Sequence, residues 1–234
     1  MSPDMTLAHR RSFVESRLTA LGARIAPVGD GLAALEIPGR PAYTGGLVLA
    51  DLSPLPRAGY KGRDTGAWLV GQGLALGAGT NRVYADASGL RLARLSDGEV
   101  LLLGGLDGDG SALDRLAGAW TPEAGLCFAV PRRDSHAWFV LVGPEVATML
   151  AKLCAVDLRS GKFPEDGIAQ TSLAKMSAIL VRRSLGGVPA FDILADSASA
   201  AYLWDCLIDA MAEFAGAGVI GLEALRQLEK SVAP

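Results

Sequence analysis

The chain has 234 residues, half of them apolar, with 22 basic and 25 acidic side chains and a formal net charge of −3. That length is enough to bury a real core in one large or two small domains, and the mildly acidic balance offers no basic face for nucleic acid. No apolar run approaches the ~18–20 residues that span a bilayer. Met1 to Arg17 is mixed polar and carries no apolar leader, so a cytoplasmic protein without a membrane segment is expected.

In chain order, Phe13 to Leu21 has the spacing of an amphipathic helical turn. Arg24–Val28 and Leu32–Ile37 follow as the arms of a hairpin turned at Gly29-Asp30-Gly31. Leu47 to Ser53 is an apolar strand, Arg57 to Lys61 a short one, and Asp64 to Leu74 a helix. Arg82 to Leu103 holds two or three strands turned at Gly89 and Asp97-Gly98, and a loop from Leu106 leads into a short helix ending at Gly118. Phe128–Arg132 and Ala137–Val142 flank the polar run Arg133-Asp134-Ser135-His136, which predicts a second hairpin.

After Gly143-Pro144-Glu145, the residues Val146, Met149, Leu150 and Leu153 form one helical stripe at i, i+3, i+4 and i+7. Strands are expected at Ile168–Lys175, Ala178–Arg183 and Phe191–Leu194, a long helix from Ser197 to Phe214, and a last short helix through Leu222, Leu225 and Leu228. Strand then helix recurs at Arg57–Leu74, Trp138–Leu153 and Phe191–Phe214. Helices on antiparallel-rich sheets make an α+β protein. The expected organisation is an N-terminal extension and hairpin (1–46), a first lobe (47–120) and a second lobe (121–234), with the seam near Gly118 to Pro122.

The residues that carry chemistry are sparse. His9, His136 and the dispersed Cys127, Cys154 and Cys206 have no metal-ligand spacing, and the cysteines read as reduced, buried thiols. His136 is expected as a solvated turn residue, and no Gly-x-Ser-x-Gly is present. Gly29-Asp30-Gly31-Leu32-Ala33-Ala34, with Asp51 about twenty residues on, has the letters of a dinucleotide fingerprint. Pro38-Gly39 arrives too soon for the helix that such a fingerprint opens, so a hairpin turn explains the glycines better. No catalytic residue, metal ligand or cofactor-binding residue is assigned.

Two charged groups are candidate surfaces. Arg159, Lys162, Arg182 and Arg183 could form a basic site for a carboxylate or polyglutamate tail, although solvated strand ends explain them as well. On the Ser197–Phe214 helix, Leu203, Trp204, Leu207, Ile208, Met211 and Phe214 fill an arc of roughly 140°. Asp205, Asp209 and Glu213 line the opposite side with no cation in the row, which is either a solvated face or a docking stripe for a basic partner.

The run Val48-Leu49-Ala50-Asp51-Leu52-Ser53, the strand ending Tyr60-Lys61-Gly62-Arg63-Asp64 and the helix through Ala67-Trp68-Leu69 resemble the start of aminomethyltransferase (glycine-cleavage T-protein) folds. Leu90–Leu95 followed by Ser96-Asp97-Gly98-Glu99-Val100 resembles the next hairpin of that fold. Further on, Leu153-Cys154-Ala155-Val156-Asp157-Leu158, Phe163-Pro164, Ala169-Gln170-Thr171 and Ala201-Tyr202-Leu203-Trp204-Asp205 are similar to the gamma subunit of heterotetrameric sarcosine oxidase. The resemblance covers about residues 47 to 215 and implies an aminomethyltransferase-like, folate-binding type of fold.

Folate-dependent members of that family carry an acidic pair just before the strand matching Leu90–Leu95, where this chain has Ser88 and Gly89, with Asp86 offset by about two residues. The Lys-Gly-Cys-Tyr signature of the iron–sulfur-assembly relatives is also unmatched, since Arg63 follows Lys61-Gly62. The resemblance therefore implies a non-catalytic gamma subunit. Alpha, beta and delta partner subunits would hold FAD, FMN, NAD, zinc and tetrahydrofolate, and the complex would oxidatively demethylate sarcosine or a related N-methylated amine. The alternative is a stand-alone folate-dependent aminomethyltransferase or folate-binding protein.

Overall fold

The computed structural model describes residues 10–231. After helix α1 (Glu15–Ala20), strands β1 (Arg24–Val28) and β2 (Gly31–Glu36) form a hairpin closed by the pair Val28 and Gly31. Strand β3 (Val48–Asp51) comes next, and β4 (Arg57–Lys61) leads into helix α2 (Thr65–Gly71). Strands β5 (Arg82–Ala85), β6 (Arg91–Ser96) and β7 (Glu99–Leu103) form a meander, followed by helix α3 (Ser111–Ala119) and strand β8 (Phe128–Val130). One helical turn, α4 (Arg132–Ser135), joins it to β9 (His136–Val142) and helix α5 (Val146–Leu150). The chain ends with β10 (Ile168–Leu173), β11 (Met176–Leu185), β12 (Val188–Asp196), helix α6 (Ala200–Met211), β13 (Gly218–Val219) and helix α7 (Leu222–Lys230).

Beside the hairpin there are two larger sheets. One has six strands in the order β10-β11-β12-β9-β3-β13, antiparallel except for the last pair, and the other has five antiparallel strands in the order β5-β6-β7-β4-β8. Strand β9 reads as a continuous apolar run because it lies inside the six-stranded sheet and is buried on both faces. Phe139, Leu141, Phe191 and Ile193 face Met149, Leu150, Leu203, Trp204 and Leu207 of α5 and α6. Trp138, Val140, Val142 and Leu194 point the other way, onto Ala93, Leu95, Leu101 and Leu103 of the five-stranded sheet. The outer face of that second sheet, with Tyr60, Leu92, Val100 and Leu102, is covered by Leu69 of α2 and by Leu113 and Leu116 of α3. The result is four layers: helices, sheet, sheet, helices. This is the α+β, antiparallel-rich architecture that the sequence led us to expect.

The recurring strand–helix unit is present at β4–α2, β9–α5 and β12–α6. In the first two, the strand leaves the sheet through a glycine of nearly the same unusual backbone, Gly62 at φ +140° and Gly143 at φ +144°. A Cβ at Gly62 would collide with the carbonyl oxygen of Leu126, and one at Gly143 with that of Gly46. Each glycine also donates its N–H across the sheet end, to Gly98 O at 2.8 Å and Pro189 O at 2.9 Å respectively.

Several expectations need correction. Strands β8 and β9 are not two arms of a hairpin: β8 pairs with β4, and β9 pairs with β12 and β3 in the other sheet. The polar run between them is a helical turn that carries the chain from one layer to the next. The helix after Gly143 stops at Leu150 rather than reaching Leu153. Each large sheet takes strands from both sides of residue 120, with Val48–Asp51 in the six-stranded sheet and Phe128–Val130 in the five-stranded one. Among the described residues, no helix is long and apolar enough to cross a membrane.

The two glycines give a stability prediction. Gly143→Ala and Gly62→Ala should each destabilise by more than about 2 kcal/mol, through strained φ and a backbone collision. Gly71→Ala, in helix α2 where an added Cβ meets nothing within 4 Å, should be neutral or stabilising by up to about 1 kcal/mol. Urea midpoints of the three variants check this, and equal midpoints would contradict it.

Candidate functional site

The segment preceding β6 is where the sequence pointed to lost chemistry. Asp86 Oδ1 accepts hydrogen bonds from the Ser88 amide at 2.9 Å and the Ser88 hydroxyl at 2.6 Å, while Oδ2 accepts from the Ala75 amide at 2.8 Å. The Ser88 hydroxyl, the largest influence, holds this carboxyl below its usual range; burial opposes it, and the Ala75 and Ser88 amides add to the lowering. A carboxylate with both oxygens engaged and a lowered pKa is a poor proton acceptor. Asp86 therefore serves its own turn. Gly89, beside it, forms the edge of a groove of about 620 Å³ lined also by Leu106, Asp107, Arg226, Glu229 and Lys230. Arg226 fixes one wall by donating to the carbonyls of Leu106 at 2.8 Å and Asp107 at 3.1 Å.

Between the sheets lies a charged cluster. Asp192 of β12 is fully buried and accepts from Trp138 Nε1 of β9 at 2.9 Å and from Arg91 Nη1 of β6 at 2.7 Å. Arg183 of β11 approaches the same carboxylate at 3.3 Å. Burial opposes ionisation of Asp192, but Arg183, Arg91 and the Trp138 hydrogen bond outweigh it and hold the carboxyl below its usual range. Burial also pulls the Arg183 guanidinium down to about 10, which leaves it charged at neutral pH.

A second buried cation, Arg57 of β4, donates to the carbonyls of Ser53 at 2.7 Å, Leu55 at 3.2 Å, Arg132 at 3.0 Å and Arg133 at 2.6 Å, and also to that of His136. Its pKa is drawn down to about 9, chiefly by burial.

The basic quartet does not converge. Arg183 is committed to Asp192, and Arg159 forks onto Asp157 at 2.8 and 2.6 Å. Arg182 donates to the carbonyls of Phe163 and Ser160. Two acids of the row have partners elsewhere in the chain: Arg17 binds Asp205 of α6 through two bonds of 2.9 and 2.7 Å, and Lys152 meets Glu213, just past the helix, at 2.9 Å. The row itself holds no cation, as expected, and the relief of Asp205 and Glu213 comes from outside it.

Gly29 and Gly31 turn the β1–β2 hairpin and open no helix. His136 is not a solvated turn residue; it starts β9, half-buried, with Nδ1 2.8 Å from Ser135 Oγ. Burial first, then Arg132 and Arg57, lower its pKa to about 4. His9 lies outside the described residues. Among those residues no cluster of His, Cys, Asp and Glu could hold a metal, and the three cysteines are unpaired.

The GCVT N-terminal domain family profile matches residues 87–232, more than half of the chain. The chain belongs to the GCVT N-terminal domain family. Two solved structures share its fold. Heterotetrameric sarcosine oxidase from Corynebacterium sp. U-96, in complex with pyrrole 2-carboxylate, contains a chain that is 23% identical with a TM-score of 0.64; the match covers 87% of this chain and 95% of that one. The glycine cleavage system aminomethyltransferase T from Bartonella henselae is 16% identical with a TM-score of 0.72, over 95% of this chain but only 62% of that one. No curated protein matches the chain by sequence. At these identities the structural likeness is one of fold, and it agrees with the resemblance to T-proteins and to the sarcosine oxidase gamma subunit carried by residues 47 to 215.

Sequence reasoning missed what this GCVT-family chain does with Arg57, Arg91 and Asp192. The signal for the last was available: Asp192 is the single charge in the otherwise apolar run Ala190-Phe191-Asp192-Ile193-Leu194. Such a residue is buried with a partner or it breaks the strand.

His136 gives a pH prediction. Its folded pKa of about 4 lies below the ordinary value of about 6.5, so the unfolded chain binds the proton more readily. The linkage cost is absent above about pH 6.5 and grows as pH falls toward 4. His136→Gln should flatten this acid limb, whose full depth is at most about 3 kcal/mol. Urea denaturation of both proteins across that pH range measures the effect, and parallel curves would refute it.

Proposed function

We propose that this chain is a non-catalytic, gamma-type subunit of a heteromeric oxidase resembling sarcosine oxidase. In this reading the complex oxidatively demethylates sarcosine or a related N-methylated amine and passes the carbon to tetrahydrofolate. The alpha, beta and delta partner subunits carry the FAD, FMN, NAD, zinc and folate, and assembly takes place in the cytoplasm. The observation that carries the reading is the state of Asp86: the one acid near the expected catalytic position is consumed by its own turn, and Ser88 and Gly89 hold the position itself. The fold match to a chain of an oxidase complex supports it. What the chain supplies is a rigid four-layer body on which partners assemble.

A second reading is favoured by one observation. The groove beside Gly89, at about 620 Å³, lies within the size range of small-molecule sites, so a folate could bind there without being acted upon. Two measurements separate the readings. Under the first, the chain co-expressed with sarcosine oxidase-type alpha, beta and delta subunits co-purifies with them, and the isolated chain shows neither a flavin chromophore nor heat on titration with tetrahydrofolate. Saturable tetrahydrofolate binding by the isolated chain, with no recovery of partners, would replace the first reading with the second.

A further inference from the structure

A cleft of about 410 Å³ opens at the end of the inter-sheet layer remote from the Gly89 groove. It is lined on the five-stranded side by Leu95, Glu99 and the Arg132 side chain, and on the six-stranded side by His136, Gln170, Ser177, Ile179 and Leu194. Arg132 lies across Gly59 of β4, where a Cβ would come within 2.5 Å of its Cγ, so the glycine is what lets the guanidinium enter the cleft. Its Nη2 meets Glu99 Oε1, and the other Glu99 oxygen is held from outside by Lys61 Nζ at 3.2 Å.

Two cations therefore share one carboxylate. The remaining N–H groups of Arg132 have no partner among the described residues. The other charges close to His136 are spoken for: Arg57 is spent on backbone carbonyls, and Asp196 caps the Ala198 amide at 2.8 Å. Gln170 has its amide nitrogen tied to Asn81 Oδ1 and Leu95 O, both at 2.8 Å, which leaves its oxygen free, and the Ser177 hydroxyl has no protein partner among the described residues. The floor, made of Leu95, Ile179 and Leu194, is aliphatic.

We propose that this cleft is a binding site for a small organic monocarboxylate with an apolar body. Arg132 receives the carboxylate while Lys61 keeps Glu99 in place, and the body lies on Leu95, Ile179 and Leu194. Arg is the side chain suited to this role, because its fork offers parallel N–H donors beyond the one given to Glu99. A dication is excluded by the surplus positive charge. The site is independent of the assembly proposed above and can be tested on the isolated full chain.

The probe is cyclohexanecarboxylate, with cyclohexanecarboxamide as its uncharged isostere, followed by calorimetry or ligand-observed NMR. A Kd near or below about 1 mM is expected for a ligand of this size, with the amide at least about tenfold weaker. Arg132→Gln should abolish the difference between acid and amide. Ser177→Trp, at an exposed position in the cleft wall, should block both ligands without unfolding the protein, and it decides the matter if the arginine variant does not fold. Equal binding of acid and amide, undiminished binding to either variant, or no binding of the acid up to about 10 mM would overturn the proposal.

Discussion

The two large sheets face one another across a layer of aliphatic side chains, and one carboxylate in that layer constrains how they can meet. Asp192 is reached by Arg91 from the opposite sheet and by Trp138 and Arg183 from its own neighbours, so β6, β9, β11 and β12 are tied at a single point. Ion pairs of this kind contribute little net stability, because desolvating the charges costs about as much as their attraction returns. Losing one member is another matter, since it strands a buried charge at a cost of about 3–5 kcal/mol. A slip of either sheet by one residue would turn the partner away and incur that cost. The cluster thus selects one register between two apolar surfaces that would otherwise accept several.

Arg57 plays the same part for the backbone. Its guanidinium gathers the carbonyls of Ser53 and Leu55 on one side and of Arg132, Arg133 and His136 on the other. These are the two places where the chain passes from one sheet to the other, after β3 and before β9. Loop carbonyls buried at a crossover need donors, and a five-donor side chain meets that need where water is excluded. The crossover also explains the misread hairpin. The local pattern from 128 to 142 is apolar, polar, apolar, as in any hairpin, and the residue that separates its arms lies some seventy positions upstream.

The same distinction marks what was legible in the sequence. The β1–β2 hairpin, the β5–β7 meander, the apolar faces of α6 and α7 and the overall class follow from short-range periodicity and turn chemistry, and the structure has them, save that Ile208 of the α6 stripe is exposed. The acidic row on α6 looked unrelieved because its partners, Arg17 and Lys152, lie on other elements. His136 was misplaced because nothing local distinguishes a turn histidine from the first residue of a buried strand. The reading of Ser88 and Gly89 depends on position alone, and the structure adds what position could not, namely that both oxygens of Asp86 are occupied.

The interleaving of the sheets bears on how the chain reaches this state. The segment that matches the family profile begins at residue 87, yet β3 and β4 precede it. Strand β3 sits between β9 and β13, and β4 between β7 and β8. A piece starting at 87 would leave β9 with one bare edge and split the five-stranded sheet in two, so the profile segment is not an autonomous folding unit. Residues near 50 must instead find partners about ninety positions away before the six-stranded sheet closes. Topologies with so much long-range pairing fold slowly and expose unpaired strand edges while they do so. During synthesis β3 emerges well before β9, and it must wait, apolar and unpaired, for the strand that carries it into the six-stranded sheet, whereas β4 meets β7 and β8 sooner.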